Sequence, residues 1–104
     1  MELKVVWTKT AQNKLLDVFE YYLSISGVDV AQKVVDGIVG ASLILKINPL
    51  GNQKELLLNH KSEGFRSAIY KNYKIIYWID DMNKIIFISN VFDTRQSPTK
   101  INKF

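Results

Sequence analysis

Phe65-Arg66-Ser67-Ala68-Ile69-Tyr70-Lys71-Asn72-Tyr73-Lys74-Ile75-Ile76-Tyr77-Trp78-Ile79 is the stretch that decides the fold. Its two halves are rich in isoleucine and aromatic residues, which favour a pleated, half-buried surface. Between them stands Lys71-Asn72, and asparagine accepts the backbone angles of a tight turn. The stretch therefore predicts two antiparallel strands, Phe65–Tyr70 and Tyr73–Ile79, closed by a two-residue turn. With that turn, Tyr70 pairs with Tyr73 and Ala68 with Ile75. Strict alternation then places Arg66, Ala68, Tyr70, Tyr73, Ile75 and Tyr77 on one face, and Ser67, Ile69, Lys74 and Ile76 on the other. Only a longer turn or a bulge would bring Arg66 and Lys74 together.

Downstream, Asp80-Asp81-Met82-Asn83 reads as a second turn and Lys84–Val91 as a third strand, completing an antiparallel meander. The tail after Phe92 is expected to leave the sheet. Upstream, the period changes. Leu3–Trp7 reads as a short strand, and Thr8 offers a hydroxyl to cap a helix. Ala11, Leu15, Val18, Phe19 and Tyr22 then recur at helical spacing, ending at Ser26-Gly27. Asp29 is placed to cap a second helix, with an inner stripe of Ala31, Val34, Val35, Ile38, Ala41, Ser42 and Leu45. Gly37 and Gly40 cost helix propensity, about 1 kcal/mol each relative to alanine. Close approach of the two helices would account for them. Asn48-Pro49-Leu50-Gly51 ends the helix. In the polar connection from Asn52 to Gly64, Leu56, Leu57 and Leu58 are expected to tuck against the core.

The predicted fold is α+β in the order β-α-α-β-β-β, an antiparallel sheet with a two-helix hairpin packed on one face. At 104 residues the chain, 1–104, is read as one domain. It contains no cysteine, which excludes disulfides, thiolate metal sites and a thiol nucleophile. It shows no stretch of membrane-span length and no signal-peptide layout, so a soluble, cytoplasmic protein with no membrane partner is expected. The net charge is +4, and all of the excess lies after His60: the first sixty residues are balanced. A basic C-terminal part suits nucleic acid or an acidic protein segment, or serves solubility alone.

Arg66, Lys71, Lys74 and Arg95 are the cations set on or beside the meander. Fixed cations on a rigid sheet can bind phosphate or stabilise charge as a phosphodiester breaks. The competing reading is solvated strand-edge charge. Tyr70, Tyr73 and Tyr77 can stack on bases, although residues of this kind more often pack at the rim of a core. His60, the single histidine, stands in a polar loop without a partner in sequence. Asp80-Asp81 fits a turn better than a metal pair, and no metal cluster, phosphate loop or nucleophile motif is present. No cofactor is expected.

Taken in order, Trp7-Thr8 with Ala11, Leu15 and Tyr22, then Asn48-Pro49-Leu50-Gly51, Phe65-Arg66, Tyr73-Lys74-Ile75-Ile76-Tyr77 and the tail Val91-Phe92-Asp93-Thr94-Arg95-Gln96-Ser97-Pro98 resemble the RelE/ParE toxin superfamily over nearly the whole chain. The tail and the spacing from Arg66 to Tyr77 look most like ParE-type, or plasmid stabilization, members. This resemblance implies a growth-inhibiting toxin of a type II toxin–antitoxin system. It implies a cognate antitoxin as partner, in a toxin–antitoxin hetero-oligomer. RelE-like members cut mRNA on the ribosome with basic sheet residues and a tail residue, often tyrosine. That branch would make this chain a metal-independent endoribonuclease with Arg66, Lys74 and Arg95 as catalytic residues. ParE-like members are associated with poisoning DNA gyrase. The chain departs from the RelE pattern: Ala68 and Ile69 stand where further cations are expected, and no tyrosine follows Tyr77. In either branch Arg66, Lys71, Tyr73, Lys74, Arg95 and Lys100 are the expected contacts to target or nucleic acid. A third reading is a basic interaction module without toxicity.

Overall fold

In the computed structural model, described for residues 3–51, 54–55 and 64–95, the elements follow the expected order. They are β1 (Lys4–Trp7), α1 (Lys9–Ser26), α2 (Val28–Ile44), β2 (Arg66–Tyr70), β3 (Tyr73–Asp80) and β4 (Ile85–Asp93). Leu56, Leu57, Leu58, His60 and Lys100 lie outside the described residues. The sheet order is β1-β4-β3-β2. The last three strands form the antiparallel meander, with Tyr70 opposite Tyr73 and Arg66 opposite Tyr77 across the two-residue turn. β1 adds to the far side of β4 in parallel, so the whole sheet is mixed. The two-helix connection after β1, with the β2–β3 hairpin inserted, carries the chain far enough to return in that sense.

Both helices cover one sheet face. Ala11 and Val18 of α1 and Val34 and Ile38 of α2 meet Ala68, Tyr73, Ile75, Tyr77, Ile86, Ile88 and Val91 in one core. The parity of β4 deserves a physical reason: Ile86 and Ile88 face this core, and so does Val91, three residues on. A bulge allows it. Ile76 pairs with Asn90 but Tyr77 pairs with Ile88, so Ser89 is an extra residue in β4. The extra residue is clamped by Thr8, whose hydroxyl donates to the Ile88 carbonyl at 2.9 Å and accepts from the Ala11 N–H at 3.2 Å. One side chain thus caps α1 and fixes the bulge. On the other sheet face Phe65, Ile76 and Phe92 form a smaller cluster against Trp78.

Three local expectations change. Gly27, not Asp29, is the N-cap of α2; Asp29 lies in the first helical turn, where its charge favours the helix dipole. The helix ends at Ile44, before Asn48-Pro49, through a tightened turn in which the Lys46 and Ile47 N–H groups reach the Leu43 and Ile44 carbonyls. Gly37 does not serve the approach of the helices: a Cβ there would overlap the Tyr70 hydroxyl of β2. Among the described residues, a Cβ at Gly40 would meet nothing within 4 Å.

Candidate functional site

The register separates the expected cations. Arg66 and Lys74 point to opposite sheet faces, because Arg66 shares a face with buried Tyr77 while Lys74 lies opposite Ile69 and Phe92. Lys74 emerges on the face away from the helices. Its ammonium meets the Glu55 carboxylate at 2.9 Å. The carboxylate side chain is 3% exposed and the lysine 28%, so the pair is anchored from the buried end. Glu55 is held in place by its own N–H, which donates to the Phe65 carbonyl at 2.8 Å. No sequence signal links residues 55 and 74: they are distant, and Glu55 sits in a connection without periodicity.

Arg95 lies elsewhere. Its guanidinium forks onto Asp93, with Nε 3.0 Å from Oδ1 and a terminal nitrogen 2.8 Å from Oδ2. The fork holds the Asp93 carboxyl down at about 2, against an ordinary value of 3.8, and raises the guanidinium in return. The carboxylate also accepts from the Asn72 amide at 3.1 Å. The Asn72 carbonyl in turn accepts from the Thr94 N–H and hydroxyl, both at 2.8 Å. The end of β4 is therefore strapped to the β2–β3 turn, and the tail does not leave the sheet until after Asp93.

This strap forms one wall of a cleft of about 300 Å³. Lys14, Asp17, Val18 and Tyr21 of α1 form the other wall, and Tyr73, Val91 and Phe92 contribute to the lining with Asp93 and Arg95. The α1 residues recur at the spacing of one helix stripe, a signal present in the sequence. Of the expected contacts, the cleft brings together Tyr73 and Arg95. Tyr73 is 3% exposed and its ring serves the core. Burial, then the hydrogen bond with Tyr22, pushes its phenol well up, so it stays protonated at neutral pH. Lys71 is exposed in the turn, with its ammonium 5.7 Å from the centre of the Tyr70 ring. Arg66 is half-buried at the start of β2, where its backbone pairs antiparallel with that of Lys54. Among the described residues no group of three His, Asp or Glu side chains converges as a metal set.

Residues 5–98 match the family model for the ParE toxin of the type II toxin–antitoxin system parDE. The chain belongs to the ParE toxin family. Solved structures share the fold of this ParE-family chain. One is a chromosomal ParDE toxin–antitoxin system from P. aeruginosa, with a TM-score of 0.73 and 18% identity over 88% of this chain and 96% of that one. Another is the toxin–antitoxin complex RelBE2 from Mycobacterium tuberculosis, with a TM-score of 0.65 and 23% identity over 89% of this chain and 99% of that one. No functionally curated protein matches the sequence significantly. The chain is thus a type II toxin of the ParE/RelE superfamily. Among its described residues no helix is long and apolar enough to cross a membrane.

Proposed function

We propose that this toxin arrests growth in the cytoplasm by binding a protein target, DNA gyrase, and not by cutting mRNA. A cognate antitoxin holds it inactive. The observation that carries this reading is the dispersal of the cations. Cleavage through a 2′-hydroxyl needs a base, an acid and a cation converging on one phosphate. Here Lys74 is engaged by Glu55 on one sheet face, while Arg95 is engaged by Asp93 beside α1. Arg66 starts β2 on the face opposite Lys74. A binding toxin needs no such convergence, only a firm surface. The strapped cleft with Tyr73 and Arg95, and Lys71 exposed on the adjoining turn, supply one. The antitoxin follows from the two similar structures, both of toxin–antitoxin systems.

The test is a supercoiling assay with purified gyrase. The chain is expected to inhibit supercoiling, and an equimolar antitoxin to restore it. Full gyrase activity at saturating toxin overturns the proposal. Normal growth on induced expression without the antitoxin removes toxicity itself.

A further inference from the structure

Arg95 uses one edge of its guanidinium inside the fold and leaves the other open. Asp93 takes the edge formed by Nε and Nη2, at 3.0 Å and 2.8 Å. Nη1 and the outer proton of Nη2 donate to nothing among the described residues, and the side chain is 56% exposed. A guanidinium only donates, and its paired N–H groups match the two oxygens of one carboxylate. The open edge is also held in place. Asp93 Oδ1 accepts from the Asn72 amide at 3.1 Å and from the Arg95 N–H at 2.9 Å, so the fork is tied to the β2–β3 turn and to its own backbone. An arginine ordered in advance loses less freedom when it binds. Across the cleft, Lys14 and Asp17 stand exposed on the α1 wall, and neither enters an ion pair among the described residues. Val18, Val91 and Phe92 line the space between the walls.

We propose that the cleft takes an extended segment of the toxin's protein target, with one carboxylate seated on the open edge of Arg95 and an apolar side chain lying against Val18, Val91 and Phe92. This rests on the reading of the chain as a toxin that acts by binding. Net charge does not choose the ligand, because Lys14 and Arg95 are balanced by Asp17 and Asp93 in the lining. Donor geometry does. The free edge of Arg95 calls for a forked acceptor, Lys14 adds a second donor from the opposite wall, and Asp17 calls for a donor in return. A peptide segment supplies both kinds of group, an acidic side chain for Arg95 and a backbone N–H for Asp17. A nucleic acid strand carries a phosphate at every step and would bring that charge past Asp17 and Asp93. The size agrees. At about 300 Å³ the cleft lies at the lower end of small-molecule sites, about 300–1,000 Å³, so it receives one or two side chains better than a whole cofactor.

Gyrase supercoiling and growth on induced expression are measured for the full-length parent, Arg95→Lys, Lys14→Glu and the control Lys33→Gln. Arg95→Lys keeps the charge but has no second edge. Lys14→Glu leaves the strap untouched and reverses the sign on the opposite wall. Each is expected to raise the half-inhibitory concentration at least about tenfold and to relieve the growth arrest, with thermal melts verifying a folded chain. Lys33 is exposed on α2 and does not line the cleft, so removing its charge should change neither readout. Parent-like inhibition and arrest in folded Arg95→Lys and Lys14→Glu overturn the proposal. If the parent arrests growth without inhibiting gyrase, the choice of gyrase fails by itself, and the arrest by the same two variants decides this inference. Variants that arrest growth like the parent but escape the antitoxin give the edge to the antitoxin. Binding of the parent to a labelled DNA duplex without gyrase, lost in Arg95→Lys, gives it to a phosphate. Either result overturns the proposal.

Discussion

The Lys74 ammonium sits 2.9 Å from a Glu55 carboxylate that is almost wholly enclosed. The two ends of the pair are unequal: the lysine retains access to water, the glutamate does not. Removing the lysine takes one partner from a buried carboxylate, while neutralising the glutamate leaves a cation that water can reach. Lys74→Met should therefore destabilise the fold by about 2–3 kcal/mol. Glu55→Gln should cost less, about 1–2 kcal/mol. Urea unfolding checks the order, and equal losses would contradict it. Loss of toxicity in a Lys74 variant is informative only beside this measurement.

The Asp93–Arg95 fork sets an acid-range dependence. The folded carboxyl titrates at about 2, below its ordinary 3.8. A depressed folded value means that ionised Asp93 contributes stability above the unfolded value, and that this contribution is lost as the pH falls towards 2. Asp93→Asn should lower stability at neutral pH and flatten the fall between about pH 4 and 2. Melting temperatures across that window decide it. A variant with the same acid slope as the parent would show that another carboxylate carries the effect.

Gly37 and Tyr70 form a steric couple between α2 and β2. A methyl group at 37 would overlap the tyrosine hydroxyl. Tyr70 is half-buried, so its ring must leave its packing to make room. Gly37→Ala should destabilise the parent by about 1 kcal/mol or more, as overpacking does. In a Tyr70→Ala background the same change should stabilise by about 1 kcal/mol, because only helix propensity remains. The cycle measures the coupling directly. The same sign in both backgrounds would refute the contact.

Much of the fold was legible because it is written locally. Thr8, Gly27 and the alternation around Lys71-Asn72 each act within a few residues, and the register Tyr70–Tyr73 follows from the turn alone. The placement of Arg66 and Lys74 on opposite faces came from that same alternation. What escaped depends on distant partners. The parallel seat of β1 on β4 joins strands some eighty residues apart, and the bulge at Ser89 is held by Thr8 from the same distance. The role of Gly37 is fixed by a ring on another element. The candidate site was less legible for the same reason. Glu55 has no pattern that assigns it to Lys74, and the Asp93–Arg95 pair, though close in sequence, declares itself only once the strap to Asn72 holds it. The α1 stripe of Lys14, Asp17 and Tyr21 carried the right spacing, but its cleft exists only where α1 meets the end of β4.

On the proposed reading this toxin works by binding, with Lys74 held by Glu55 and Arg95 by Asp93. The most direct measurement maps the 5′ ends of a defined mRNA on translating ribosomes incubated with the purified chain. The account predicts an uncut message at toxin concentrations that inhibit gyrase. Cuts phased to codons in the ribosome, lost on Lys74→Met in a variant shown to be folded, would contradict it.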